Sequence, residues 1–122
     1  MIGFTSAGGD SPIITIPKLE AYSRAESEPW GEGRCISVFD VRKYKNLSFS
    51  SFTSTAGASS NLRVHGASDS AFTSPTLIID TDASSYHIFN ISNYNYISIR
   101  IMVKPGRLYW DCLADLYDVI IS

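Results

Sequence analysis

The chain nearly repeats itself at a distance of fifty residues. Phe39-Asp40-Val41-Arg42-Lys43-Tyr44-Lys45-Asn46-Leu47-Ser48-Phe49-Ser50 aligns without gaps on Phe89-Asn90-Ile91-Ser92-Asn93-Tyr94-Asn95-Tyr96-Ile97-Ser98-Ile99-Arg100. Phe39/Phe89, Tyr44/Tyr94 and Ser48/Ser98 are identical, and Asp40/Asn90, Val41/Ile91, Leu47/Ile97 and Phe49/Ile99 keep size and polarity. Self-similarity of this kind marks a supersecondary unit used twice. Two corresponding strand–turn–strand units inside one domain are therefore expected, with the matched positions serving a core and a turn. The unmatched ones, Asn46 against Tyr96 and Lys43/Lys45 against Asn93/Asn95, are where recognition would be sought.

The rest of the chain agrees with an all-β reading. Ser, Thr, Asn, Tyr and Ile dominate, a strand and turn vocabulary. With 122 residues, 44% hydrophobic and 18% charged, the chain suits one ordered domain over residues 1–122. Residues 1–11 read as a flexible N-terminal lead-in. Pro12 to Pro17 reads as an edge strand bounded by prolines. Residues 18–33, charged and weakly patterned, read as an irregular loop with room for one helical turn.

Cys35 to Val41 alternates with apolar groups on both faces, which predicts a central strand. Leu47 to Ser50, Asn61 to Gly66, Thr76 to Asp80 and Ile97 to Val103 follow as strands, with loops at Ser51–Ser60 and Asp69–Pro75. Tyr109, Cys112, Leu113, Leu116, Tyr117 and Ile120 would line one face of a helix. Because the turn Lys104-Pro105-Gly106-Arg107 precedes them, two strands, about 108–113 and 116–121, are expected instead. Eight or nine strands at short spacing predict a single-domain antiparallel β-sandwich or jelly roll.

Groups able to do chemistry are few. His65 and His87 sit on predicted strands outside any metal-ligand or nucleophile spacing, and phosphate-loop, dinucleotide and nucleophile-elbow motifs are missing. Asp80-Thr81-Asp82-Ala83-Ser84 begins like a calcium loop but has Ser85 where glycine is needed and Ile91 where the last carboxylate should stand. No enzyme activity, cofactor or metal is expected. Cys35 and Cys112 read as two free thiols, with a single bridge as the alternative. Net charge of −2 disfavours nucleic acid and anionic membranes as partners. No secretory signal and no membrane-spanning apolar run is visible. Asn46-Leu47-Ser48 and Asn90-Ile91-Ser92 match the glycosylation sequon, which without export has no consequence.

Aromatic side chains are the one group suited to recognition, since they bury large area at small entropic cost. Trp30, Tyr94, Tyr96 and Trp110 are the candidate ligand-binding residues, Trp30 and Tyr96 foremost. Tyr44 and Tyr94, placed alike in the repeat, also suit structural anchoring of turns.

The repeat unit, with Asn61-Leu62-Arg63-Val64-His65-Gly66 between its copies, resembles small β-sandwich modules of the galactose-binding-like, or discoidin-like, type over residues 34–121. Similar modules occur in bacteriophage decoration and tail proteins and in carbohydrate-binding appendages. The resemblance implies the fold; with the absence of catalytic groups and the Ser/Asn/Tyr-rich strands, the expected function is a non-enzymatic bacteriophage virion component, a capsid decoration or tail-associated protein located in the virion and acting through contacts with other virion proteins. The sheet edges to be covered lead us to expect a homo-oligomer. The alternative is a carbohydrate-binding module that uses exposed aromatics on a cell-surface glycan.

Overall fold

A computed structural model describes residues 13–23, 32–82, 84–105 and 111–122. Eight strands occur among them: β1 (Ile14–Ser23), β2 (Gly33–Asp40), β3 (Asn46–Ser54), β4 (Ser59–Ala67), β5 (Thr76–Thr81), β6 (Ser84–Asn90), β7 (Tyr96–Lys104) and β8 (Cys112–Ile121). They form two four-stranded antiparallel sheets, ordered β1-β8-β3-β6 and β2-β7-β4-β5. Apart from β4 to β5, each strand is followed by one in the other sheet, which is jelly-roll topology. No helix among the described residues is long and apolar enough to cross a membrane.

The repeat explains how the sheets are joined. Each copy leaves one sheet, turns, and enters the other: β2 into β3, and β6 into β7. The copies then pair with each other in exchanged order. Phe39 lies opposite Ile97 in one sheet, and its counterpart Phe89 lies opposite Leu47 in the other. Asp40 opposite Tyr96 matches Asn90 opposite Asn46 in the same way. The turns clasp reciprocally: the Val41 N–H donates to the Asn95 carbonyl at 2.8 Å, and the Ile91 N–H donates to the Lys45 carbonyl at 2.8 Å. The two units are thus related by an approximate two-fold axis. It extends to their neighbours, since Lys45 N–H donates to Ser122 and Asn95 N–H to Ala67.

Inward-facing side chains fill the space between the sheets. Val41 and Ile91, Leu47 and Ile97, and Phe49 and Ile99 are all buried, so the repeat's conserved sizes are core positions. Leu62, Val64, Ile101, Val103, Phe52, Leu116, Val119 and Ile121 belong to the same core. Cys112 is buried and Cys35 half-buried, both as free thiols, and desolvation pushes the Cys112 thiol pKa up.

The structure departs from the sequence expectations at four places. Lys18 to Ser23 is not loop but the second half of β1, paired with Tyr117 to Cys112. Ser51 to Ser54 and Ser59 to Ser60 belong to β3 and β4, which leaves a turn of four residues, 55–58, with Gly57 at φ 82°. Among the described strands, the segment Cys35 to Asp40 lies at the edge of its sheet and not at the centre. Its second apolar face is exposed, with Ile36 59% and Val38 54% accessible.

Lastly, Cys112 to Ile121 is one strand without the break expected between residues 113 and 116, while residues 108–110 of the first expected strand lie outside the described residues. Its inward residues are Cys112, Ala114 and Leu116, then Val119 and Ile121, a slip of one position. That slip puts apolar groups at three- and four-residue spacings and imitates a helix. It is shared across the sheet, since β3 changes phase between Phe49 and Phe52, and β1 between Ile16 and Leu19. The row Pro17–Asp118–Ser50 is the crease. Pro17 has no N–H to give to the ladder, which a sheet tolerates at an edge or where pairing is interrupted, and no ladder pair is made at Pro17. Asp118 takes φ 54°, and the Ser50 hydroxyl donates to its carboxylate at 2.7 Å.

Left-handed backbone is open to Asn and Gly but costly for a β-branched residue. Asp118→Asn is therefore expected to leave the urea midpoint nearly unchanged, and Asp118→Val to cost about 1–2 kcal/mol.

Candidate functional site

Because alternate residues of a strand face opposite ways, burying Ile97, Ile99, Ile101 and Val103 turns Tyr96, Ser98, Arg100 and Met102 outward. Register then assembles four rows across the outer face of the β2-β7-β4-β5 sheet. Asp40, Tyr96 and Ala67 make the first, and Val38, Ser98, His65 and Leu77 the second. Ile36, Arg100, Arg63 and Asp80 make the third, and Arg34, Met102 and Asn61 the fourth. Exposed Ile36 and Val38 flank the face at one edge and exposed Leu77 at the other.

The first row ends at a charged corner. The Arg42 guanidinium pairs with Asp40, its Nε 3.0 and 3.1 Å from the two carboxylate oxygens and its Nη2 in a further contact. The Arg42 N–H also donates to Asp40 Oδ1 at 3.1 Å, closing an Asx turn. The guanidinium carbon then lies 5.7 Å from the centre of the Tyr96 ring, within cation–π range. An open groove of about 660 Å³ is lined by Ile14, Asp40, Arg42, Lys43 and Tyr44.

The second copy builds the same turn without charge. The Asn90 side-chain oxygen accepts from the Ser92 N–H at 3.0 Å and the Ser92 hydroxyl at 2.6 Å. Tyr94 and Tyr44 differ as well. A Cβ on Gly66 would stand 2.4 Å from the Tyr94 ring, so that ring is seated directly on β4. The matching position in the first copy holds Ile121, because Leu47 faces Ile121 as Ile97 faces Gly66. With that seat filled, Tyr44 lines the groove beside Ile14 while still touching the core.

Hydrogen bonds from Arg42 hold the Asp40 carboxyl below its ordinary value of 3.8. Thr73 does the same for Asp69, and for Asp80 the Asn61 hydrogen bond does so, followed by the nearby charge of Arg63. A carboxyl with a depressed folded-state pKa adds stability above its unfolded value and loses it as pH falls through the folded one. Urea midpoints should be flat between about pH 5 and 8 and decline below about pH 4. Asp69→Asn should shrink that decline.

Of the four aromatic candidates, Tyr96 stands on the outer face beside Arg42 and Tyr94 is packed at the turn over Gly66. Trp30 and Trp110 lie outside the described residues. His87 packs against Phe49 and Phe89, with ring centres 5.5 and 5.6 Å away, and His65 stands in the second row. Asp80 accepts from the Asn61 amide at 2.7 Å, and no cluster of three metal-ligating side chains occurs among the described residues. Arg34, Arg42, Arg63 and Arg100 bring positive charge to the face, and none is a candidate from sequence. Their signal was position only: Arg42 and Arg100 sit inside the repeat opposite Ser92 and Ser50.

No family model and no curated protein matches the chain. Among solved structures, the K1 cleaved adhesin domain of Lys-gingipain from Porphyromonas gingivalis W83 superposes with TM-score 0.50 at 13% identity, covering 93% of each chain. The carbohydrate-binding module TmCBM61, solved with β-1,4-galactotriose, gives TM-score 0.49 at 11% identity over 94% of this chain and 90% of its own. The likeness to the adhesin domain shows the fold alone, a β-sandwich, which is what the two four-stranded sheets build.

Proposed function

We propose that the protein is a non-catalytic carbohydrate-binding module whose glycan lies on the outer face of the β2-β7-β4-β5 sheet, at the corner formed by Tyr96, Arg42 and Asp40. The observation that carries this reading is the asymmetry of the repeat. The fold needs the turn twice, and among the described residues the copies differ in it: the Asp40–Arg42 pair of the first lies beside the outward Tyr96 and borders a groove, whereas the Asn90–Ser92 turn of the second is uncharged. An aromatic ring offers a flat apolar surface to the C–H groups of a sugar, and the Arg42–Asp40 pair offers donors and acceptors to its hydroxyls.

A glycan array with the full chain tests the reading. Saturable binding that Tyr96→Ala abolishes while the fold is kept supports it. Trp30→Ala and Trp110→Ala in the same assay report whether those tryptophans contribute. Absence of binding to any glycan overturns it in favour of the virion component that docks on protein partners.

A further inference from the structure

The third row of the outer face is electrostatically incomplete. Arg63 and Arg100 lie directly opposite each other on β4 and β7, and like charges so placed repel. One carboxylate serves both. Asp80 faces Arg63 across the β4–β5 pair, with its Oδ2 3.3 Å from Arg63 Nε. That approach is misaligned, because Arg63 Nε is buried without a hydrogen bond, and Arg100 Nε is too. Asp80 is moreover engaged by the Asn61 amide at 2.7 Å. On the far side of Arg100 the row holds Ile36, which is apolar. Two arginines, each with its Nε buried and without a hydrogen bond, thus occupy paired positions on the two inner strands of the sheet, in a chain whose net charge is −2.

Guanidinium forks match planar carboxylates in a bidentate way and bind sulfate or phosphate oxygens similarly. Their place matters as much as their charge. Tyr96 and Arg100 are four residues apart on the same outward face of β7, about 13 Å along the strand. Ser98 and His65 stand between them in the second row. A linear chain lying along β7 would meet the ring first and the arginine pair next.

We infer that Arg63 and Arg100 form an anion subsite that takes the carboxylate or sulfate of an acidic glycan. The inference rests on the glycan-binding reading of the same face and names the class of glycan: a polysaccharide bearing uronate or sulfate groups. Ile36 and Val38 would then cover the apolar faces of the sugar rings that follow.

The test is titration of the full chain with oligogalacturonate, the same oligosaccharide methyl-esterified, and chondroitin sulfate. The first or third is expected to bind, which separates carboxylate from sulfate as the anion recognised. Methyl esterification should weaken uronate binding at least tenfold, and added salt should weaken acidic binding further. Arg100→Gln and Arg63→Gln should each cost at least tenfold, with unchanged urea midpoints, and Arg100→Lys should fall between. Binding of neutral glycans only, or acidic binding indifferent to both arginine variants, overturns the subsite and leaves the glycan reading standing. Failure of every glycan, neutral and acidic, overturns both. Concentration-dependent self-association that Arg100→Gln abolishes would show instead that the arginines face a second copy, and would also overturn it.

Discussion

Leu47→Ala and Ile97→Ala are each expected to destabilise the domain by about 2–5 kcal/mol, and by nearly the same amount. Leu47 and Ile97 are 1% and 0% exposed, occupy the same position of the repeat, and stand opposite Phe89 and Phe39. Truncation removes the transfer free energy of the side chain and leaves a cavity whose walls hardly move. Because the two sites are related by the approximate two-fold axis, the walls should resist collapse alike. Urea denaturation of the two variants checks this. Losses differing by more than about 2 kcal/mol would show that the pairing symmetry does not extend to packing.

Gly66→Val is expected to cost about 3 kcal/mol, the upper end of ordinary overpacking. The added carbons would enter the space of the Tyr94 ring, whose Cγ and Cδ1 are both 2.4 Å from an ideal Cβ. These atoms lie at the base of the ring, so no swing of the side chain about its end relieves the clash. A double-mutant cycle identifies the cause. If the ring is the obstacle, Tyr94→Ala costs much less in the Gly66→Val background than in the native one. Equal costs in both would place the strain in the β4 backbone.

How much could be read from sequence follows from what strand periodicity does and does not encode. Alternation tells which residues share a face, and so Val41/Ile91, Leu47/Ile97 and Phe49/Ile99 are legible as core. It does not tell which strand lies alongside. The exchange that pairs β2 with β7 and β3 with β6 is a long-range property, invisible in either copy alone. Apolar groups on both faces of β2 suggested a central strand, yet a strand with an exposed apolar stripe has the same pattern, and Ile36 and Val38 form such a stripe. In β8 the crease at Asp118 shifts the alternation by one, and no turn residue announces it. The candidate site divides along the same line. Tyr96 stands out as an unmatched position within the repeat. Arg63 and Arg100 are separated by 37 positions and become neighbours only through the β4–β7 register.

The divergence of one turn into a binding corner is tested most directly by restoring the first copy's residue in the second. Tyr96→Asn gives β7 the residue that Asn46 supplies to β3, so the fold tolerates it by its own precedent. Its loss in stability should stay near the roughly 0.5–1 kcal/mol of an exposed cation–π contact. Affinity for the glycan identified on the array, measured by isothermal titration, should fall at least tenfold while the urea midpoint barely moves. Unchanged affinity with an intact fold would contradict the assignment of that corner.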